Sequence, residues 1–106
     1  MKYKIEVTEK AKSDLRGIYE YIAFQLLSPV SAENLLDRLE SGILSLEKMP
    51  FRFRQYDKEP WKSRGLRVMT VDHFLVFYIP EKESLTVTIL RVMYGGREIE
   101  KRLKSE

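Results

Sequence analysis

Six consecutive residues, Phe74-Leu75-Val76-Phe77-Tyr78-Ile79, show no polar alternation. A short run this rich in aromatic and β-branched side chains reads as a strand covered on both sides, in the interior of a sheet. Two further runs flank it, Leu66–Val71 and Leu85–Tyr94, equally short and rich in Val, Ile and Thr. The breaks between them, Asp72-His73 and Pro80-Glu81-Lys82-Glu83-Ser84, are polar and of hairpin length. The three runs are therefore expected to pair antiparallel as a meander, with the middle one inside.

Upstream, Tyr3, Ile5 and Val7 alternate with Lys4 and Glu6, the period of a half-buried strand at or near an edge. Thr8 offers a capping hydroxyl, and Ala11, Leu15, Ile18, Ile22 and Leu26 then recur on one face of a helix. Gly17 weakens that helix by roughly 1 kcal/mol relative to Ala, so packing must hold it. Leu27-Ser28-Pro29 breaks the pattern, with Ser28 at the cap and Pro29 at the first helical position. A second amphipathic helix follows, with Ala32, Leu35, Leu36, Leu39, Ile43 and Leu46 as its apolar stripe, and it ends before Met49-Pro50. Helices joined by so short a break fold back as an antiparallel hairpin, and the only partner for their apolar faces is the sheet. After the meander, Gly95-Gly96 permits a change of direction, and Arg97–Leu103 is expected to form one or two helical turns with Ile99 and Leu103 inward. The expected fold is α+β: an N-terminal strand, an antiparallel helical hairpin packed on a three-stranded antiparallel meander, and a short C-terminal helix.

A chain of 106 residues forms one domain with a single modest core. It has no cysteine, which removes disulfides, thiolate metal sites and cysteine nucleophiles together and agrees with a reducing, cytoplasmic setting. No apolar stretch approaches the roughly 18–20 residues needed to cross a bilayer, and Met1-Lys2-Tyr3-Lys4 leads into a strand pattern instead of a signal peptide. Residues 1–51 carry 7 basic against 8 acidic side chains and residues 52–106 carry 12 against 8, so the excess behind the net +3 lies in the second half. It is densest from Arg52 to Val71, a patch suited to a polyanion or to solvent. From Phe51 to Ser63, Phe51, Phe53, Tyr56 and Trp61 stand beside Arg52, Arg54, Lys58 and Lys62. Such rings either stack on bases or pin a long loop onto the helices.

With one histidine, His73, placed in a predicted turn, the usual zinc sites and Ser-His-Asp chemistry have no support, and no metal or cofactor is expected. Gly95-Gly96 lacks the spacing of a phosphate-binding loop and reads as a bend. Arginines fringe the apolar block at Arg64, Arg67, Arg91 and Arg97; with Lys62 they form a set suited to phosphate or carboxylate. If an early residue of one strand approaches a late residue of another, Arg67 comes near Tyr94 and Arg97. Two guanidiniums and a phenol would suit phosphodiester cleavage, with Arg67, Tyr94 and Arg97 catalytic and Lys62, Arg64 and Arg91 binding substrate. The general base is then unassigned, with Lys62 or Glu59 as candidates. The alternative is structural: each arginine ends a strand and pairs with Glu98, Glu100 or Asp72.

The order of elements, together with Gly65-Leu66-Arg67, Phe74-Leu75-Val76-Phe77-Tyr78 and Ile89-Leu90-Arg91-Val92-Met93-Tyr94-Gly95-Gly96-Arg97, resembles the RelE/ParE superfamily of bacterial toxins from type II toxin-antitoxin modules over nearly the whole chain. The resemblance implies a compact toxin neutralised by a cognate antitoxin, of the kind associated with plasmid stabilization. In the RelE-like branch it implies a metal-independent, RNA-binding endoribonuclease acting on mRNA in the ribosome, with Arg67 and Arg97 as phosphate ligands and Tyr94 in proton transfer. The nuclease is the expected function, because Arg67, Tyr94 and Arg97 are sufficient in kind for phosphodiester cleavage; in the ParE-like branch, the alternative, the resemblance implies an inhibitor of DNA gyrase. Tyr94-Gly95-Gly96-Arg97, the low net charge and the long hairpin depart from the cleaving branch. A non-enzymatic binding module of the same fold is the third possibility.

Overall fold

The computed structural model describes residues 2–96 and 99–104. The chain opens with strand β1 (Lys4–Val7) and enters helix α1 (Glu9–Glu20) through Thr8. The Thr8 hydroxyl accepts from the Ala11 N–H at 3.1 Å and donates to the Leu90 carbonyl at 2.9 Å, so the cap that starts the helix also ties it to the sheet. α1 continues without a break into a π-helical segment, Tyr21–Gln25. Leu27, in the left-handed region at φ 53°, helps reverse the chain, and α2 (Pro29–Ser45) returns alongside. Pro29 occupies the first turn as expected, but Ser28 makes no capping bond with its side chain.

Strands β2 (Arg67–Val71), β3 (Phe74–Glu81) and β4 (Thr86–Tyr94) form the expected meander, and β1 adds to β4 in parallel. The order across the sheet is β1-β4-β3-β2. The β3–β4 register shifts between Phe77 and Tyr78, with Phe77 opposite Arg91 and Tyr78 opposite Ile89. Beyond Val7, β4 has no strand on its outer side, and α1 runs along it there instead.

The apolar run in β3 is explained by two separate cores. On one face the hairpin buries Leu35, Leu39, Ile43 and Leu46 with Val76, Tyr78, Val87 and Ile89. On the other, Phe77 and Met93 pack with Trp61, Leu66, Val68 and Leu103. That second cover consists of the loop before β2 and of helix α3 (Ile99–Lys104), which turns Leu103 inward as expected. Lys58 in the loop holds Glu100 in the helix at 2.9 Å. The expectation that the loop's rings lie on the helices is therefore corrected: Phe53 stays on the hairpin side, while Tyr56 and Trp61 pack beneath the sheet. The hairpin covers one face only, and without these rings Phe77 would be open to water.

Tyr78 joins the layers. Fully buried, it donates from its hydroxyl to the Pro50 carbonyl at 2.7 Å, and burial pushes its pKa up to about 12. An unfolded tyrosine titrates near 10. The folded state therefore holds this proton more tightly, and the contribution to stability is complete below about pH 10 and lost as pH rises through about 12. Tyr78→Phe should cost roughly 1 kcal/mol at neutral pH. In urea melts, the wild type's advantage over the variant should vanish and then reverse between about pH 10 and 12, because a pKa raised from near 10 to about 12 outweighs one hydrogen bond; a constant difference would rule out this coupling.

Candidate functional site

The strand register decides which expected site residues meet. Arg67, the first residue of β2, pairs with Tyr78 in the middle of β3, and Tyr94 pairs with Phe74 at the start of β3. Their partners are four residues apart on β3, so the two are separated by about 14 Å along the strands and about 10 Å across two strand spacings. The expected approach of Arg67 to Tyr94 is thus corrected. β2 and β4 are both antiparallel to β3 and so parallel to each other, which sets early residues beside early ones. Arg97 lies outside the described residues.

Two of the candidate guanidiniums are used within the fold. Arg67 Nη1 donates to the Phe51 and Phe53 carbonyls at 3.0 and 2.6 Å, and its guanidinium lies 5.1 Å from the Phe51 ring centroid. Arg91 is buried. Its Nε and Nη2 grip both oxygens of Asp14 at 2.8 and 2.9 Å, while Nη1 donates to the Arg102 carbonyl at 3.2 Å. Asp14 Oδ2 also accepts from the Val92 N–H at 2.9 Å, on the stretch of β4 that has no strand outside it. Arg91 thus pairs with Asp14, and Asp72, one of the acidic partners expected for the fringing arginines, holds Arg38 at 2.7 Å. Arg64 stacks 4.9 Å over Trp61, and exposed Lys62 lies 3.7 Å from Asp57. Hydrogen bonds from Ser63 hold Glu59's carboxyl below its ordinary value, which makes it a poorer base. Among the described residues, no group of His, Asp and Glu is arranged to hold a metal.

Tyr94 stands at the far end of the sheet, 59% exposed, edge-on to Phe74 and with its ring 6.3 Å from that of His73, which is in the turn as expected. Beside it a cleft of about 470 Å³ opens between α1 and the end of β4. Gly17, Ile18, Tyr21, Ile22 and Leu26 line the helical side, and Phe74, Val92, Met93 and Tyr94 the sheet side. Ser13, Asp14 and Arg102 close the polar end. The arrangement offers a recess that is apolar over most of its lining, suited to an apolar surface, with Asp14 and Arg102 at its charged margin.

Two features of this region escaped the reading of the sequence, and both left signals. Asp14 interrupts the apolar stripe between Ala11 and Leu15, the mark of a charge that needs a buried partner. Tyr21–Ala32 contains no charged residue, so its apolar side chains are unaccompanied by the usual solvated face.

A family model described as the ParE toxin of the type II toxin-antitoxin system parDE matches residues 5–99. Comparison with curated proteins by sequence finds no match. Among solved structures, the chromosomal ParDE system of P. aeruginosa is similar with TM-score 0.70 and 21% identity, over 87% of this chain and 95% of that one. The toxin-antitoxin complex RelBE2 of Mycobacterium tuberculosis gives 0.67 and 21%, over 89% and 92%. A mutant of the E. coli toxin RelE in the free state gives 0.66 and 14%, over 100% and 94%. At these identities the structures share the fold.

The Asp14–Arg91 clip makes a sharp prediction. Asp14→Ala removes the carboxylate that buried Arg91 grips through Nε and Nη2 and should cost about 3 kcal/mol in chemical denaturation. Adding Arg91→Met should restore most of that loss. A loss below 1 kcal/mol in the single variant, on the order of a surface pair, would show that the clip is not buried in solution.

Proposed function

The chain belongs to the ParE toxin family of the RelE/ParE superfamily, toxins of type II toxin-antitoxin systems, and on that premise we propose that it arrests growth by binding DNA gyrase and not by cleaving mRNA. The observation that carries this reading is the strand register. It separates Arg67 from Tyr94, while Arg67 and Arg91 donate to carbonyls and a carboxylate of the fold itself. A cleavage centre needs donors aimed at the charge that develops on the phosphate, and these two are directed inward. What the surface offers instead is suited to binding: a basic stretch from Arg52 to Arg67 and an apolar cleft.

Cleavage of mRNA retains one foothold, the exposed phenol of Tyr94 beside His73. Tyrosine is an uphill base at neutral pH, with an unperturbed pKa of about 10, so Tyr94 would serve there as acid or positioning group. Arg97, three residues on, is its natural phosphate ligand in that reading.

Expressed alone, the protein should stop growth of its native host, and co-expression of the adjacent small antitoxin gene should relieve it. Purified protein given supercoiled DNA with gyrase should accumulate gyrase-cleaved DNA, and translating ribosomes in a parallel tube should keep their transcripts intact. Cut transcripts that become whole with Tyr94→Phe would overturn the gyrase reading and place the activity at the Tyr94 corner.

The antitoxin proposed here is an acidic amphipathic segment lying across the hairpin and the basic stretch near Arg52–Arg67. Its association rate should fall as salt rises, since exposed charges steer the encounter and are screened within about 10 Å at 0.1 M. A salt-independent rate, or protection confined to Lys2–Val7, would count against this placement.

A further inference from the structure

One third of this chain is charged, 33% of its residues, yet Tyr21–Ala32 has no charge at all. That run is the tip of the hairpin, where Phe24, Leu27 and Val30 are 65%, 81% and 71% exposed. With Tyr21, Leu26 and Tyr94 they present on the order of 600 Å² of open surface, taking about 150–200 Å² for a full side chain of this size. That is the upper range for a patch on a monomer and about three quarters of the ~800 Å² each partner gives to a standard interface.

Gly17, on the wall of the adjoining cleft, is a second and independent sign. A Cβ built there meets nothing within 4 Å, and the residue is helical, so neither packing nor backbone conformation requires glycine. In the middle of α1 it costs roughly 1 kcal/mol against alanine. What it provides is bare backbone facing an apolar recess, which lets another molecule approach closely.

We propose that the occupant is a second copy of this chain, paired about a two-fold axis through the hairpin tip and the cleft. Charge selects it. The hairpin half of the chain carries 7 basic against 8 acidic residues, so two such faces meet without like-charge repulsion. The basic excess lies in residues 52–106, with Arg67 on edge strand β2, four β3 positions along from the partner of Tyr94. An acidic segment finds its counter-charges there and none on the tip. Shape agrees, because an isologous contact needs hollow and protrusion on one surface. This face has the cleft of about 470 Å³ and, beside it, the uncovered Leu27. The inference does not depend on which cellular target the toxin inhibits.

Sedimentation equilibrium of the isolated 106-residue chain up to about 100 µM should approach twice its 12.6 kDa mass. Raising the salt should change this little. Phe24→Glu and Leu27→Glu, both at exposed sites and checked for fold by circular dichroism, should give the single-chain mass at every concentration. Gly17→Leu should weaken pairing at least about tenfold by filling the cleft, and the loop variant Lys58→Glu should leave it unchanged. A wild type that stays single at the highest concentration overturns the proposal, as does a dimer that Leu27→Glu leaves intact. A single-chain wild type whose tip variants lose antitoxin affinity also overturns it and gives the face to the antitoxin. Growth inhibition measured on the same preparations separates a failure of pairing from a failure of the toxin reading.

Discussion

The constraint on which the structure depends is that β3 must be dry on both faces. Val76, Phe77 and Tyr78 are all fully buried and alternate between two cores. Each such side chain contributes on the order of 1.5–3 kcal/mol on leaving water, so neither face can be left open in a domain this small. The hairpin supplies one cover. The other is assembled from what remains, the irregular stretch before β2 and a six-residue helix. A loop of that length without periodic structure is uncommon in a compact domain. Here Tyr56, Trp61 and Leu66 hold it as a layer of the fold.

Irregular backbone brings its own cost, because its carbonyls have no ladder to join. Arginine meets that need, with five donors and no acceptor. Arg67 serves the Phe51 and Phe53 carbonyls, Arg52 the Lys48 and Met49 carbonyls, and Arg91 the Arg102 carbonyl. Arg67 and Arg52 are thus placed where regular structure gives way to loop. Arg91 goes further, joining α1, β4 and α3 through Asp14 and Arg102. A guanidinium-rich margin on a small sheet is therefore compatible with a structural function as much as with phosphate binding.

How much of this the sequence discloses follows from the range of each interaction. Strands and helices come from local periodicity, so the meander, the hairpin, the Thr8 cap and the inward Leu103 could all be read from it, and the order of elements carried the family. The parallel addition of β1 to β4 and the passage of the loop beneath the sheet depend on contacts distant in sequence, for which no local period exists. The π-helical segment at Tyr21–Gln25 left no period break to read either. The Arg67–Tyr94 separation differs in kind. It follows from the meander itself, since two strands flanking a common antiparallel neighbour run the same way, and only the missing step from pairing to direction brought those residues together.

The finished fold distributes its surface chemistry unevenly. In one region Arg67 lies over the Phe51 ring and Arg52 over Phe53, and in another the uncharged hairpin tip borders the cleft lined by Phe74 and Tyr94. A short chain cannot bury all its apolar side chains, so the surplus must be exposed somewhere. Concentrated in one helical turn and the residues after it, the surplus becomes a defined surface. Contacts at the basic region are long-range and weaken with salt, whereas contacts at the tip are short-range and scale with buried area. Two regions governed by different forces can be tuned separately by sequence, one through its charges and the other through its apolar area.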